Sequence, residues 1–335
     1  MSTPQTFAGP GISQRTNVYA ERQMLRYAMA TLVLEKTAKN CRMPKNKSDT
    51  VKFRRPVPFK AVTSPLVEGV TPTVTTFEYE DVTAVLRQYG EVASITDKVE
   101  DLHEDPVLND MVEQLGENVG RTKEALDYGV VRAGTNVFFA NGVLRSDVNT
   151  TITTDRQRAV IRALRAQKAK KFTKMLDGSP KFQTKPIENS YIAIGHTDLE
   201  ADIRNMVNFT PTAEYGSMTP LCNEEIGAVE DVRYILSPDL EPFQGEGSTT
   251  LNGMLNNGTN VDVYPLMYFG QESWGTVALR DQGAITPSII PPGQRTKDDP
   301  LGQRGVAGWK TYHAAVILNQ LWMARAEVGA SDLAV

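Results

Sequence analysis

Cysteine is almost missing from this chain: Cys41 and Cys222 are the only two in 335 residues, and they form no C-x-x-C pair. That excludes a disulfide framework and makes a reducing compartment the default reading. Histidine is nearly as scarce, with only His103, His196 and His313. No apolar run approaches the ~20 residues of a membrane-spanning helix. The most apolar stretch, HAAVILNQLWMA at 313–324, is interrupted by Asn319 and Gln320. The opening MSTPQTFAGPG has neither a basic n-region nor an apolar h-region, so no secretory signal is expected. Catalytic signatures are lacking too: there is no serine nucleophile elbow, no G-x-x-x-x-G-K-[ST] loop and no H-E-x-x-H. The short GQRG at 302–305 lacks the flanking helix pair that an RNA-binding G-x-x-G loop needs.

One cluster invites a metal. His196, Asp198, Glu200 and Asp202 read H-x-D-x-E-x-D, but helical spacing brings only Asp198 and Asp202 onto one face. Acids favouring a helix N-terminus explain the run more simply; a metal-dependent enzyme centred on His196 and Asp198 is the competing reading. His313 lies in an apolar run and reads as a hydrogen-bonded interior residue, and His103 as part of a polar lead-in turn. No catalytic residue, cofactor or metal ligand is assigned.

What is present is charge, sorted by sign. The formal net charge is −4, yet residues 1–60 carry 12 Lys/Arg against 3 Asp/Glu, residues 61–127 carry 4 against 15, and residues 145–185 carry 11 against 3. The basic density peaks in PKNKSDTVKFRRPVPFK, residues 44–60, where Lys45, Lys47, Lys52, Arg54, Arg55 and Lys60 face Asp49 alone. Three readings compete for this stretch: binding of nucleic acid through residues 36–60, packing against the acidic 61–127 block within or between copies, and a plain solvated surface. Nucleic-acid binding calls for a basic domain with aromatics free to stack. Phe53 and Phe59 instead fall on the apolar side of an alternating strand in an acidic chain, and packing against the acidic block is preferred.

The pattern of elements is that of an α+β chain. Residues 1–16 read as an arm, about 17–38 as a helix and KNCRMPKNKSD as a polar linker. From residue 49 the period changes to two: Val51, Phe53, Val57 and Phe59 alternate with Lys52 and Arg54, and Pro56 and Pro58 confine this strand to an edge. A second extended run, 74–96, places Phe77 and Tyr79 on one face and Glu78 and Glu80 on the other. Paired as a hairpin, the Lys/Arg face of one run lies across from the Glu face of the other, and a ribbon this long needs support from outside itself.

After Asp105 as N-cap and Pro106 at the first helical position, apolar residues from Leu108 to Val137 recur at three- and four-residue steps, predicting a helix that ends near Phe139. Asn141-Gly142 then turns the chain. A second helix is predicted over 155–171, capped by Thr153 or Thr154, with Val160, Ile161 and Leu164 inward and a basic outer face. Further on come a strand at 191–195, a helix capped by Thr197, a strand at 229–238, a mobile Gly/Asn-rich loop at 244–260 and strands at 261–270, 274–279 and 284–290. A buried C-terminal strand follows, with a helix at its end as an option.

This order of parts resembles the major capsid proteins of tailed bacteriophages with the Hong Kong 97 fold, and more specifically the family named after coliphage N-four. The stretches that carry the resemblance are PKNKSDTVKFRR (44–55), HEDPVLNDMVEQLGE (103–117), AGTNVFFANGV (133–143), YIAIGHTDLEADIR (191–204), GSMTPLCNEEIGAVEDVRYILSP (216–238) and DPLGQRGVAGWKTYHAAVILN (299–319). The resemblance implies a non-enzymatic shell protein whose hexamers and pentamers enclose double-stranded DNA without sequence-specific binding. It implies an N-terminal arm at 1–48, an extended loop at 49–97, a peripheral domain with its spine helix at 98–144 and 261–335, and an axial domain at 145–260. Expected partners are other copies of the chain, portal and scaffolding proteins and a decoration protein; the expected location is the virion, with assembly in the bacterial cytoplasm. No cleaved scaffolding segment is expected at the N-terminus. One relative cross-links a loop lysine to a neighbour, but nothing near Lys52 or Lys60 marks either as reactive. The residues expected at the subunit interface are Lys52, Phe53, Arg54, Arg55, Phe59, Lys60, Phe77, Glu78, Tyr79 and Glu80.

Overall fold

The computed structural model describes residues 32–44, 48–66, 68–69, 71, 74–102, 107–176, 184–216, 219–279, 286–295 and 299–333. Most of the helix expected over 17–38 lies outside them, and its described end is a single 3-10 turn, Leu34–Thr37. The expected linker is instead a strand, β1 (Lys39–Met43), which pairs in parallel with Trp274–Leu279. Only Met43 is buried within it, and that sparse alternation is why the segment looks like polar spacer.

The basic run forms β2 (Thr50–Pro56), antiparallel to β3 (Tyr79–Val85); β4 (Arg87–Thr96) continues from β3 after Leu86. A short helix, α1 (Asp97–Leu102), precedes α2 (Val107–Arg132). The proposed cap, Asp105 with Pro106, falls outside the described residues. The 26 residues of α2 span about 39 Å at 1.5 Å per residue. It stops earlier than the apolar spacing predicts, because Gly134 turns the chain with its N–H on the carbonyl of Val131. Residues 137–139 then switch period and become β5 (Val137–Phe139). A Cβ at Gly134 would lie 2.3 Å from the Met323 side chain, so the reversal requires glycine or a repacked core.

Thr153 caps α3 (Thr154–Ala166) by accepting the N–H of Arg156. The helix ends before residue 171, where Lys168 adopts a positive φ of 57°. Then come β6 (Phe172–Leu176), β7 (Thr184–Gly195), α4 (Glu200–Arg204), β8 (Phe209–Pro211), β9 (Glu225–Val229) and β10 (Val232–Leu236). The single strand expected at 229–238 is thus the second half of a hairpin turned at Glu230, whose φ is 54°. The chain closes with β11 (Tyr264–Phe269), β12 (Trp274–Leu279), β13 (Thr286–Ile290), β14 (Arg304–Ile317) and β15 (Met323–Val328). The expected C-terminal strand is therefore two strands joined by a 3-10 turn at Gln320–Trp322, with no α-helix at its end.

Two sheets share one long helix. β12 and β13 pair with β14, β1 pairs with β12, and β4 runs along β14 for ten residues from Thr96↔Arg304 to Arg87↔His313. The larger sheet has the order β5-β15-β11-β7-β10-β9-β8, with β6 beside β7. The first half of α2 packs Leu108, Val112, Leu115 and Val119 on Ala307 and Trp309 of the smaller sheet. Its second half packs Tyr128 and Val131 on Ile192, Ile194 and Met267 of the larger one. On the opposite face, α3 presents Val160, Ile161 and Leu164 as expected. Residues 244–260, expected to be mobile, are pinned: Gly247 donates to Val261, Ser248 to Val148 and Leu255 to Ala330, with Val261 and Val263 fully buried beneath. Among the described residues no helix is long and apolar enough to cross a membrane.

Candidate assembly interface

The seven residue pairs of β2 and β3 run from Thr50↔Val85 to Pro56↔Tyr79, and Val57 extends the ladder by donating to the carbonyl of Glu78 at 3.0 Å. The root of this ribbon is fixed to the smaller sheet: Ala84 is buried with Met43, Val277 and Ala314, and Val51, Phe53 and Leu86 pack against them. Towards its tip the described residues of the ribbon are exposed. Val62, Leu66 and Val74 are 86%, 75% and 87% exposed, and Phe59, Phe77 and Tyr79 are each more than half exposed. Phe77 links the three aromatic rings, its centroid 5.8 Å from that of Phe59 and 4.7 Å, edge-on, from that of Tyr79. Arg54 extends the row over Tyr79, 5.1 Å from its centroid. An apolar row of this kind, left in water, marks a surface meant to be covered.

The charges are used within the ribbon itself. Arg54 grips Asp81 through two hydrogen bonds of 2.8 and 3.1 Å, and that guanidinium holds the Asp81 carboxyl below the usual carboxylate range. On the next pair, Arg55 bonds Glu80, its Nε at 3.0 Å. The expected contact of a basic face with a Glu78/Glu80 face is corrected in its parity. Because Pro56 stands opposite Tyr79, the faces are Lys52, Arg54, Tyr79 and Asp81 on one side, and Phe53, Arg55, Glu80 and Val82 on the other. Neighbouring Arg54 and Arg55 therefore point to opposite sides, and Tyr79 stands with the cations instead of with Phe53. Glu78 contributes its backbone carbonyl, while Lys52 and Lys60 are exposed. Asp81 is not among the residues expected at the interface; an acid directly opposite Arg54 is a signal visible only once register is known.

Elsewhere the structure resolves the other candidates. His196, not Thr197, caps the turn before α4, its Nδ1 accepting the N–H of Asp198 at 3.1 Å. Asp202 faces the C-terminus and takes the Ser331 N–H at 2.9 Å. Asp198 accepts the Tyr264 hydroxyl at 2.7 Å. These acids are spent on separate partners, and no group of three or more metal-ligating side chains occurs among the described residues. His313 is an interior residue, as expected, bonded through Nε2 to Asp127 at 2.7 Å. Two buried networks escaped the sequence. Glu124 is fully buried and accepts the backbone N–H groups of Val33 and Leu34 at 3.2 and 3.0 Å, and burial lifts its pKa to about 8. Glu327, also fully buried, is held bidentately by Arg145 at 2.7 and 2.8 Å and by Arg325 at 2.8 Å. Periodicity, helical around Glu124 and absent along the wholly buried β15 that carries Glu327, marks apolar positions and is blind to a polar residue among them.

A family model described as phage capsid protein matches residues 79–326. A curated relative, the major capsid protein of Pseudomonas phage KPP21, is 24% identical over 192 residues, which is 53% of this chain and 48% of that protein. The match therefore spans about half the length of that relative. Among solved structures, the capsid of Ralstonia phage GP4 superposes with a TM-score of 0.62 at 10% identity, over 99% of each chain. The capsid of cyanophage Pam1 does so with 0.58 at 15% identity, over 98% of each. The head of Helicobacter pylori bacteriophage KHP40 gives 0.59 at 10% identity, over 98% of this chain and 95% of that one. The expected α+β architecture of the Hong Kong 97 type is the one observed.

Proposed function

The chain belongs to the phage capsid protein family, and on that premise we propose that it is the shell-forming major capsid protein of a tailed phage. Copies associate as hexamers and pentamers into an icosahedral container for double-stranded DNA, without enzymatic activity and without reading DNA sequence. In this reading the β2–β3 ribbon, within the extended loop 49–97, reaches over a neighbouring subunit. Residues 98–144 with 261–335 form the peripheral domain, residues 145–260 form the axial domain, and residues 1–48 are the arm. Portal, scaffolding and decoration proteins are the further partners, and the virion is the destination.

The observation that supports this most directly is the exposed row of Phe59, Phe77 and Tyr79 on a ribbon anchored at one end only. Covering apolar surface is worth roughly 25 cal/mol per Å², whereas a surface ion pair adds little. The apolar tip therefore supplies affinity and the charges supply alignment. A loop made by one subunit and covered by the next is a heterologous contact, which closes into rings. The proposal does not rest on the basic run, since Arg54 and Arg55 are already neutralised within their own ribbon.

Light scattering and negative-stain microscopy of purified protein across a concentration series test this. Closed particles of megadalton mass are expected; a monomer that persists at high concentration rules the reading out.

A further inference from the structure

We propose that the cleft between α3 and the β9–β10 turn is a socket for a carboxylate side chain of a second copy of this chain, gripped by Arg162. The proposal rests on the shell-forming reading above and names a second contact, remote in sequence from the ribbon.

The cleft has a volume of about 250 Å³ and is lined by Arg158, Ile161, Arg162, Arg165, Glu230 and Asp231, among others. Its apolar floor is Ile161, 7% exposed, and the fully buried Val232. Arg158, Arg162 and Arg165 follow one another at four- and three-residue steps and so share one face of α3. The outer two are already committed. Arg158 donates to Glu230 through Nε at 3.0 Å, and Arg165 pairs with Asp231, which Lys171 also approaches at 3.0 Å. Arg162, between them, is exposed and has no ion-pair partner among the described residues. A planar guanidinium above an apolar floor, flanked by satisfied pairs, suits the bidentate capture of one carboxylate on a short aliphatic stem.

The same geometry selects the occupant. A nucleic-acid backbone carries a phosphate at every step and would press some of them against Glu230 and Asp231, which line the same cleft. A single acidic side chain can meet Arg162 and avoid both. The chain carries suitable groups: Glu91 on β4 and Asp110 and Glu117 on α2 are exposed or half-exposed, and none is in an ion pair among the described residues. They belong to the acidic 61–127 block, as Arg162 belongs to the basic 145–185 block.

Arg162→Glu, Arg162→Lys and Arg162→Cys test the socket in the full chain. Arg162→Glu is expected to leave the soluble subunit with an unchanged melting midpoint and to lower particle yield at least about tenfold, since repulsion replaces a charge-assisted pair. Arg162→Lys, which keeps the charge without the fork, should fall between. The thiol of Arg162→Cys should react with a maleimide in the free subunit and be protected in assembled shells. Normal shells from Arg162→Glu, or a thiol equally reactive in both states, overturn the socket and leave the shell reading standing. Wild-type protein that never assembles overturns both. Salt-sensitive binding of a short DNA duplex that Arg162→Glu abolishes would reassign the cleft to nucleic acid and likewise overturn the proposal.

Discussion

The carboxylate of Glu124, midway along α2, accepts the N–H of Leu34 at 3.0 Å, tying the point where the N-terminal segment meets the body to a residue ninety positions downstream. The second oxygen takes the N–H of Val33, Lys123 beside it pairs with Glu35 at 3.2 Å, and Asp127 one turn on is bonded to His313.

Burial raises the folded-state pKa of Glu124 from 4.5 to about 8. A carboxyl with a raised folded pKa binds its proton more tightly in the native state, so its effect on stability is most favourable below the unfolded pKa. Stability is then lost as pH climbs from about 4.5 to 8, by up to roughly 5 kcal/mol at the top of the range. Thermal melts of the soluble subunit between those pH values should show this slope, and Glu124→Gln should flatten it. Glu124→Ala should cost about 2–5 kcal/mol near pH 4.5, because two buried N–H donors lose their acceptor, and progressively less as the pH rises towards 8. A pH-independent melt for the wild type would remove the carboxylate from this role.

Arg145 and Glu327 provide a second test of buried charge. Arg145→Ala should destabilise the subunit by about 3–5 kcal/mol, since it leaves Glu327, with no exposed surface, short of its bidentate partner. In urea titration the cost of the double variant Arg145→Ala with Glu327→Gln should fall short of the sum of the two single costs by about 1–3 kcal/mol, the mark of a coupled pair, although Arg325 then loses its carboxylate as well. A double cost equal to the sum of the two single costs would mean that the pair is not coupled.

The ribbon charges should matter for assembly and not for the body. Arg54→Glu with Arg55→Glu sets like charges against Asp81 and Glu80, so hydrogen exchange across β2 and β3 should quicken and shells should fail to form, while the melt of the remaining subunit is unchanged. Adding Asp81→Arg and Glu80→Arg restores opposite charges and should restore shells. Rescue by the fourfold variant is the decisive outcome; its absence would mean that these arginines act outside the ribbon.

Phe59→Ser with Phe77→Ser removes most of the exposed aromatic row. Unchanged folding of the soluble subunit and loss of particles by light scattering are expected. Particles in normal yield would show that affinity comes from elsewhere.

Much of this could be read from the residues in order, because local signals were strong. The apolar steps of α2, the alternation that made β2 a strand and the inward Val160, Ile161 and Leu164 of α3 each declare themselves within a few turns of chain. What failed depended on distant partners. β1 is a strand only because β12, more than two hundred residues later, offers it an edge. The end of α2 is set by the packing of Gly134 against Met323, and the loop at 244–260 is held by Val148 and Ala330, which its own polar composition does not reveal. The ribbon faces were misjudged by one residue, and a shift of one reverses every side chain. For the interface the residue types were legible, but the division of labour was not. Charge density suggested an outward-looking patch, whereas the pairing spends Arg54 and Arg55 internally and leaves the aromatic rings outside.

The passage from β14 to β15 carries a mechanical consequence. β14 lies along β4 for ten residues, β15 is flanked by β5 and β11, and only the short turn around Gln320–Trp322 joins them. A tensile load that tries to part the two sheets along this line is taken up by continuous backbone and reaches both ladders lengthwise, so many hydrogen bonds must yield together instead of one at a time.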